Sequence, residues 1–155
     1  MFGIKKKVEK GTVLFVDDNE IVLQSLEEGL SDESYNKLFA KNCKDVLEII
    51  QQEEVHVIVT DMCMPEMTGL ELLRIVKKEH PNVIGIVLTG YEQNTELRNA
   101  VRQGEVFKII TKPWKFGEVD FESIVRRAID HYNLQNEHGR SGGRKVEPCQ
   151  AKLKD

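Results

Sequence analysis

The sequence predicts an α/β fold built on a five-stranded parallel sheet with helices on both faces. Two observations carry this expectation. Short apolar runs alternate with helix-period segments along the whole chain, the pattern of β-α units feeding a parallel sheet. Several of those runs, VLFV and VIV among them, are continuously apolar rather than alternating, as strands covered on both faces are.

The elements follow in order. TVLFVDD forms the first strand, which runs into two adjacent carboxylates, Asp17 and Asp18. NEIVLQSLEEGL is the first helix, with Val22, Leu26 and Leu30 at four-residue spacing and Asn19 placed as its N-cap. YNKLFA is a weaker strand, followed by the helix CKDVLEIIQQEE with Val46, Leu47 and Ile50 on one face. VHVIVTD is rich in β-branched residues, and the helix after it, MTGLELLRIVKKEH, is stopped by Pro81. NVIGIVLTG precedes the helix EQNTELRNAVRQ, whose stop signal is Gly104. EVFKIITK is the last strand. EVDFESIVRRAIDHYNLQ is the last helix, with Phe121, Ile124, Val125, Ala128 and Ile129 facing inward. After His138 the segment GRSGGRKVEPCQAKLKD loses apolar periodicity and reads as a flexible tail or the start of a linker. The expected organisation is a leader over 1–11, one domain over 12–132 and a tail or linker over 133–155.

Composition narrows the class. With 155 residues, 40% hydrophobic and 31% charged, the chain can bury a core as a soluble globular domain. No apolar run approaches the roughly 18 residues of a membrane span, and the basic run in MFGIKKKVEK lacks a signal-peptide apolar stretch behind it. Three cysteines, Cys43, Cys63 and Cys149, are an odd number without C-x-x-C spacing. They fit a reduced cytoplasm better than a disulfide framework or a zinc site. The four histidines show no ligand spacing, and a net charge of −4 makes no case for direct nucleic-acid binding.

In an open parallel sheet, ligands gather outside the carboxyl ends of the strands, where strand order reverses. At those ends stand Asp17 and Asp18, then Asp61, then Thr89 followed by Gly90, and finally Lys112 with Pro113. Two adjacent carboxylates at the end of a buried strand repel one another, so a positive charge is expected beside them. Three carboxylates make a hard-oxygen site suited to Mg²⁺, and Lys112 supplies a second cation. A carboxylate in that setting can attack phosphorus and become an aspartyl phosphate, with lysine and hydroxyl neutralising the phosphoryl oxygens. Taken singly each feature has a plainer reading: Asp17-Asp18 as a helix cap, Asp61 as a turn residue, Thr-Gly and Lys-Pro as ordinary loop pairs. Their joint occurrence at successive strand ends favours one site.

With these residues in place, the chain resembles the receiver domains of two-component response regulators (the CheY-like superfamily) over roughly Thr12 to Tyr132. The motifs LFVDDNE, VIVTDMCMPEMTGLELL, IVLTGY and IITKPW carry the resemblance. It implies a (βα)5 flavodoxin-like fold and a signalling switch rather than an enzyme in the usual sense, acting as a Mg²⁺-dependent phosphoacceptor with self-catalysed phosphorylation and dephosphorylation. Asp61 matches the phosphoacceptor, Asp18 a direct Mg²⁺ ligand, and Asp17 its neighbour acting through metal-bound water. Cys63 lies where the family uses a backbone carbonyl on the metal. Thr89 matches the switch hydroxyl and Lys112 the lysine paired with the phosphoryl group. The peptide before Pro113 is expected to be cis, and Pro65 and Gly69 match the turn into the third helix.

Three positions depart from or refine the pattern. Ile109 stands where the family commonly has an aromatic switch residue, so output through the fourth helix and fifth strand is expected to differ. Cys63 and Tyr91 flank the expected path of attacking water; Tyr91 is expected to screen the phosphoryl group and slow dephosphorylation. Trp114 follows the proline where phenylalanine is frequent. The implied partners are a sensor histidine kinase or phosphotransfer protein, a phosphorylation-linked homodimer, and a downstream protein or an output domain outside this chain. The competing readings are a receiver-like interaction module that is never phosphorylated, an aspartyl phosphatase, and a nucleotide-binding α/β protein. The phosphatase would want an acid where Cys63 stands. No G-x-G-x-x-G or P-loop pattern supports the nucleotide binder.

Overall fold

The structure, a computed structural model, describes residues 11–90, 94–112 and 119–142. The strands are β1 (Thr12–Val16), β2 (Asn36–Ala40), β3 (Val57–Asp61), β4 (Ile84–Thr89) and β5 (Lys108–Thr111). They alternate with the helices α1 (Glu20–Gly29), α2 (Cys43–Gln52), α3 (Gly69–Glu79), α4 (Thr95–Arg102) and α5 (Val119–Gly142). All pairings are parallel and the spatial order is β2-β1-β3-β4-β5, the flavodoxin-like arrangement expected. The chain therefore leaves β1 for one edge and returns to β3 on its other side. That reversal opens a crevice above the ends of β1 and β3, which is where Asp17 and Asp61 lie.

The period of two along each strand divides the core. Val13 and Phe15 of β1 pack on the α1 and α5 side, with Leu26, Phe121, Val125 and Ala128. Leu14 and Val16 face the opposite layer, with Val46, Leu70, Leu73, Val76, Leu97 and Ala100 from α2, α3 and α4. All five residues of β1, and likewise of β3, are buried, which is why each carries an unbroken apolar run, Val13–Val16 and Val57–Val59, that leads to an aspartate at the strand end. Truncating a side chain such as Leu14, which has no exposed surface, costs about 2–5 kcal/mol.

Four helices start on a side-chain cap, which fixes where each begins relative to the strand before it. Asn19 accepts from the Ile21 N–H, Asn42 from that of Asp45, and Asn94 from that of Leu97, each at 2.9 Å. Thr68 and Glu71 form a reciprocal capping box at α3. Each such cap is worth about 1 kcal/mol. At the far end of α4, Gly104 takes φ of +85°, a left-handed conformation that a side chain would strain.

Two details differ from the sequence reading. The inward stripe of α1 is Leu23, Leu26 and Leu30, with Val22 half-buried at its border. The 3.6-residue period turns strict four-residue spacing away from the core, so Leu23 takes the place expected of Val22. The last helix is also longer than its apolar pattern, running to Gly142 over 24 residues and about 36 Å. Among the described residues, Tyr132 is its last side chain in the core, and the sequence beyond it carries no apolar period. None of the helices is long and apolar enough to cross a membrane, among the described residues.

Candidate functional site

The strand ends bring the expected residues together. Ligand oxygens of Asp17, Asp18 and Asp61 lie within 4.8 Å of one another. Asp17 and Asp61 are buried and Asp18 is exposed, so the trio forms a cup with one open wall. Lys112, one residue past β5, donates from Nζ to Asp61 Oδ1 at 2.6 Å. Its backbone N–H donates to the Thr89 carbonyl at 2.8 Å, seating the lysine beside the buried end of β4. Thr89 and Thr111 stand opposite in the β4–β5 register, and Asp61 stands opposite Leu88 across β3–β4. The site is thus set by sheet register.

The electrostatics explain why this corner of the sheet is polar. Burial pushes the Asp17 carboxyl above the ordinary carboxylate range. The Asn19 N–H, donated to Asp17 Oδ1 at 2.9 Å, works against that; Asp61 and Asp18 raise it further, and Lys112 lowers it. Asp17 Oδ2 is buried with no hydrogen-bond partner. A buried carboxylate oxygen left without a donor costs free energy, and one ammonium beside three carboxylates leaves the cup net negative. A hard divalent cation meets both demands, and the all-oxygen donor set fits Mg²⁺.

The loop after β3 is closed tightly beneath the site. Met62 N–H donates to Leu88 O at 2.9 Å and Gly69 N–H to Met62 O at 2.8 Å. Cys63 bridges to Thr68, so the exposed thiol-bearing residue sits on a fixed backbone beside Asp61. A Cβ on Gly69 would lie 2.3 Å from the Asp61 carbonyl oxygen, which only glycine avoids. Pro65 lies with Met64, Glu66 and Met67 along a groove of about 260 Å³ that Asp18 and the start of α2 also line. Ile109 is half-buried against the α2–α4 layer. Pro113, Tyr91 and Trp114 lie outside the described residues, and with them the cis peptide and the screening role expected of Tyr91.

One feature at the mouth escaped the sequence reading. Lys41, directly after β2, pairs with Glu20 at 2.5 Å, tying the loop after β2 to the first turn of α1 beside the acid pair. Its signal was present in the sequence as charged residues adjoining two strand ends, but only the sheet order makes those ends neighbours.

The chain matches known proteins along its length. A family model described as the response regulator receiver domain covers residues 13–121. The DNA-binding transcriptional regulator NtrC of Proteus hauseri is 32% identical over 130 residues, 84% of this chain and 27% of that protein. Sensor kinase CckA of Brucella abortus is 32% identical over 124 residues, 74% of this chain and 13% of that one. This chain spans about a quarter or less of these curated relatives. Among solved structures, a CheY-like response regulator receiver domain protein from Methanospirillum hungatei JF-1 superposes with a TM-score of 0.71 at 26% identity, covering 81% of this chain and 98% of that one. The beryllofluoride-activated NtrC4 receiver domain dimer superposes with a TM-score of 0.68 at 29% identity, covering 78% and 98%. The chain belongs to the response regulator receiver domain family, the phosphorylation-activated switches of two-component signalling.

Proposed function

We propose that Asp61 is the phosphoacceptor of this switch, and that its donor is a histidine kinase or a phosphotransfer protein. The observation that carries this is the 2.6 Å contact of Lys112 Nζ with a nearly buried Asp61, at the bottom of a cup of three carboxylates. A structural aspartate at a strand end does not need a dedicated lysine and two acidic neighbours. In the transfer, a carboxylate oxygen of Asp61 forms a bond to phosphorus as the P–N bond of a phosphohistidine breaks. The electron pair of that bond returns to the imidazole nitrogen, and an acyl phosphate remains on Asp61. Lys112 holds the carboxylate in place before the reaction and pairs with phosphoryl oxygens afterwards. The Thr89 hydroxyl, on the adjoining strand, donates to the same group. Mg²⁺ would be held by Asp17, Asp18, Asp61 and the Cys63 carbonyl, and when bound it supplies positive charge to the phosphoryl oxygens.

The output follows from the neighbouring surface. Ile109 on β5 replaces a swinging ring with a short aliphatic chain, so the shift after phosphorylation is carried by movement of Thr89 and the helix it precedes. The partner of that surface is a second receiver in a phosphorylation-linked dimer, or an output domain of the kind the longer relatives carry. The reading places the protein in the reducing cytoplasm, where Cys43 and Cys63 stay as thiols.

Phosphoramidate tests the proposal, because its P–N bond stands in for phosphohistidine. With Mg²⁺ the 155-residue chain is expected to gain the mass of one phosphoryl group, labile to hydroxylamine, and to gain nothing in EDTA. A gain that is independent of Mg²⁺, or stable to hydroxylamine, contradicts an acyl phosphate at this site.

A further inference from the structure

Arg74, in the middle of α3, makes three charge-assisted hydrogen bonds. Its Nε and Nη2 fork onto the two carboxylate oxygens of Glu105 at 2.9 Å each, and its Nη1 donates to Glu96 Oε2 at 3.0 Å. Lys77, almost one turn further along α3, donates from Nζ to the Glu105 carbonyl at 2.8 Å. Glu96 lies in the first turn of α4, and Glu105 directly follows the left-handed Gly104 that ends it. One guanidinium therefore holds both ends of α4 against α3. The helix is only eight residues long; Leu97 and Ala100 are buried in the core and Val101 packs against it. Surface ion pairs are individually weak, but a bidentate fork within a network is the geometry in which they count.

The same helix adjoins the phosphoacceptor site. Asn94, its N-cap, lies five positions after Thr89 in the sequence. Gly90, the first of the residues between them, has open space where a side chain would project. Thr89 in turn seats Lys112 through the Lys112 N–H to Thr89 O bond. The arrangement seen here has the ammonium directly on the bare Asp61 carboxylate. On the proposed chemistry, a phosphoryl group on Asp61 would compete with this contact for the Lys112 ammonium and recruit the Thr89 hydroxyl.

We infer that Arg74 is a positioning residue for phosphorylation: by clamping α4 it holds Thr89 and Lys112 in the unphosphorylated arrangement and so opposes acceptance of the phosphoryl group. The inference rests on Asp61 being the acceptor. A bistable element answers a ligand only through the difference in free energy between its two states, and the clamp adds to that difference. Because the clamp is exposed, salt weakens it.

The test is a calorimetric titration of the 155-residue chain with beryllofluoride in Mg²⁺, a non-covalent mimic of the phosphoryl group, at low and high ionic strength. Arg74→Met is expected to tighten beryllofluoride binding by about three-fold or more at low salt. Glu96→Gln tightens it less, and Arg74→Lys falls between because it keeps the charge without the fork. The ratio of variant to parent affinity shrinks toward one at high salt. A merely structural role lowers the melting temperature of Arg74→Met without tightening the mimic, and that result overturns the inference, as does weaker binding. If the parent itself does not bind beryllofluoride in Mg²⁺, the phosphoacceptor reading fails first, and the clamp with it.

Discussion

Replacing Asp17 by asparagine is expected to stabilise the metal-free protein while removing its response to Mg²⁺. Asp17 is one of three carboxylates whose ligand oxygens lie within 4.8 Å of one another. At such a separation, and at an effective dielectric constant of about 20, each like-charge pair costs about 3.5 kcal/mol before screening. Asp18 is exposed and Lys112 offsets part of the Asp61 charge, which leaves a net relief of about 1–2 kcal/mol. Asparagine keeps an oxygen to accept the Asn19 N–H, and its amide can donate to the remaining carboxylates, so no buried acceptor is abandoned. For a domain of this size the relief raises the melting temperature by about 2–8 °C in EDTA. Saturating Mg²⁺, which binds the native state alone, raises the parent's melting temperature but not the variant's. Thermal unfolding followed by circular dichroism, with EDTA and with Mg²⁺, reads both effects. A variant that melts below the parent in EDTA, or that gains as much from Mg²⁺, would refute the electrostatic reasoning.

Other outcomes follow from the same geometry. Gly69→Ala places a methyl group 2.3 Å from the Asp61 carbonyl oxygen and 3.0 Å from Thr60 Cγ2, so it should cost about 1–3 kcal/mol or more and slow phosphorylation by shifting the end of β3. Unchanged denaturant midpoint and phosphorylation rate would show that α3 yields freely. His56 accepts the Thr12 N–H on Nδ1 at 2.9 Å, and burial holds its ring below the ordinary imidazole range. The unfolded chain takes up that proton near about pH 6.5 while the folded chain resists it, so stability present above that pH is lost as pH falls through the window below it. Comparing urea midpoints of the parent and His56→Asn at about pH 7.5 and about pH 5.5 should show a steeper loss in the parent; parallel losses would remove His56 from the explanation.

How far the sequence could be read depended on which property was local. The strands β1 and β3 announce themselves because every residue is buried, and the Asn and Thr caps mark helix starts without any tertiary knowledge. Asp17, Asp18, Asp61, Thr89 and Lys112 could be grouped because a parallel sheet collects all strand ends on one edge. The inward face of α1 was displaced by one position, since four-residue spacing alone does not say which of Val22 and Leu23 meets the sheet. The Arg74–Glu105 fork and the Glu20–Lys41 pair could not be read as contacts, although their charged residues stand in the sequence. Each joins residues far apart in the chain, 31 and 21 positions respectively, on elements that become neighbours only through the strand order. The orphaned Oδ2 of Asp17 was equally hidden: the sequence places the acid at a strand end, but burial decides that one of its oxygens meets neither solvent nor donor.

The most direct test is the intact mass of the protein after incubation with acetyl phosphate and Mg²⁺, run beside Asp61→Asn. The parent should gain one phosphoryl group and Asp61→Asn none. A gain of the same size in Asp61→Asn would place the acceptor elsewhere, and the absence of any gain in the parent, with no Mg²⁺ binding, would leave a receiver fold that signals without phosphorylation.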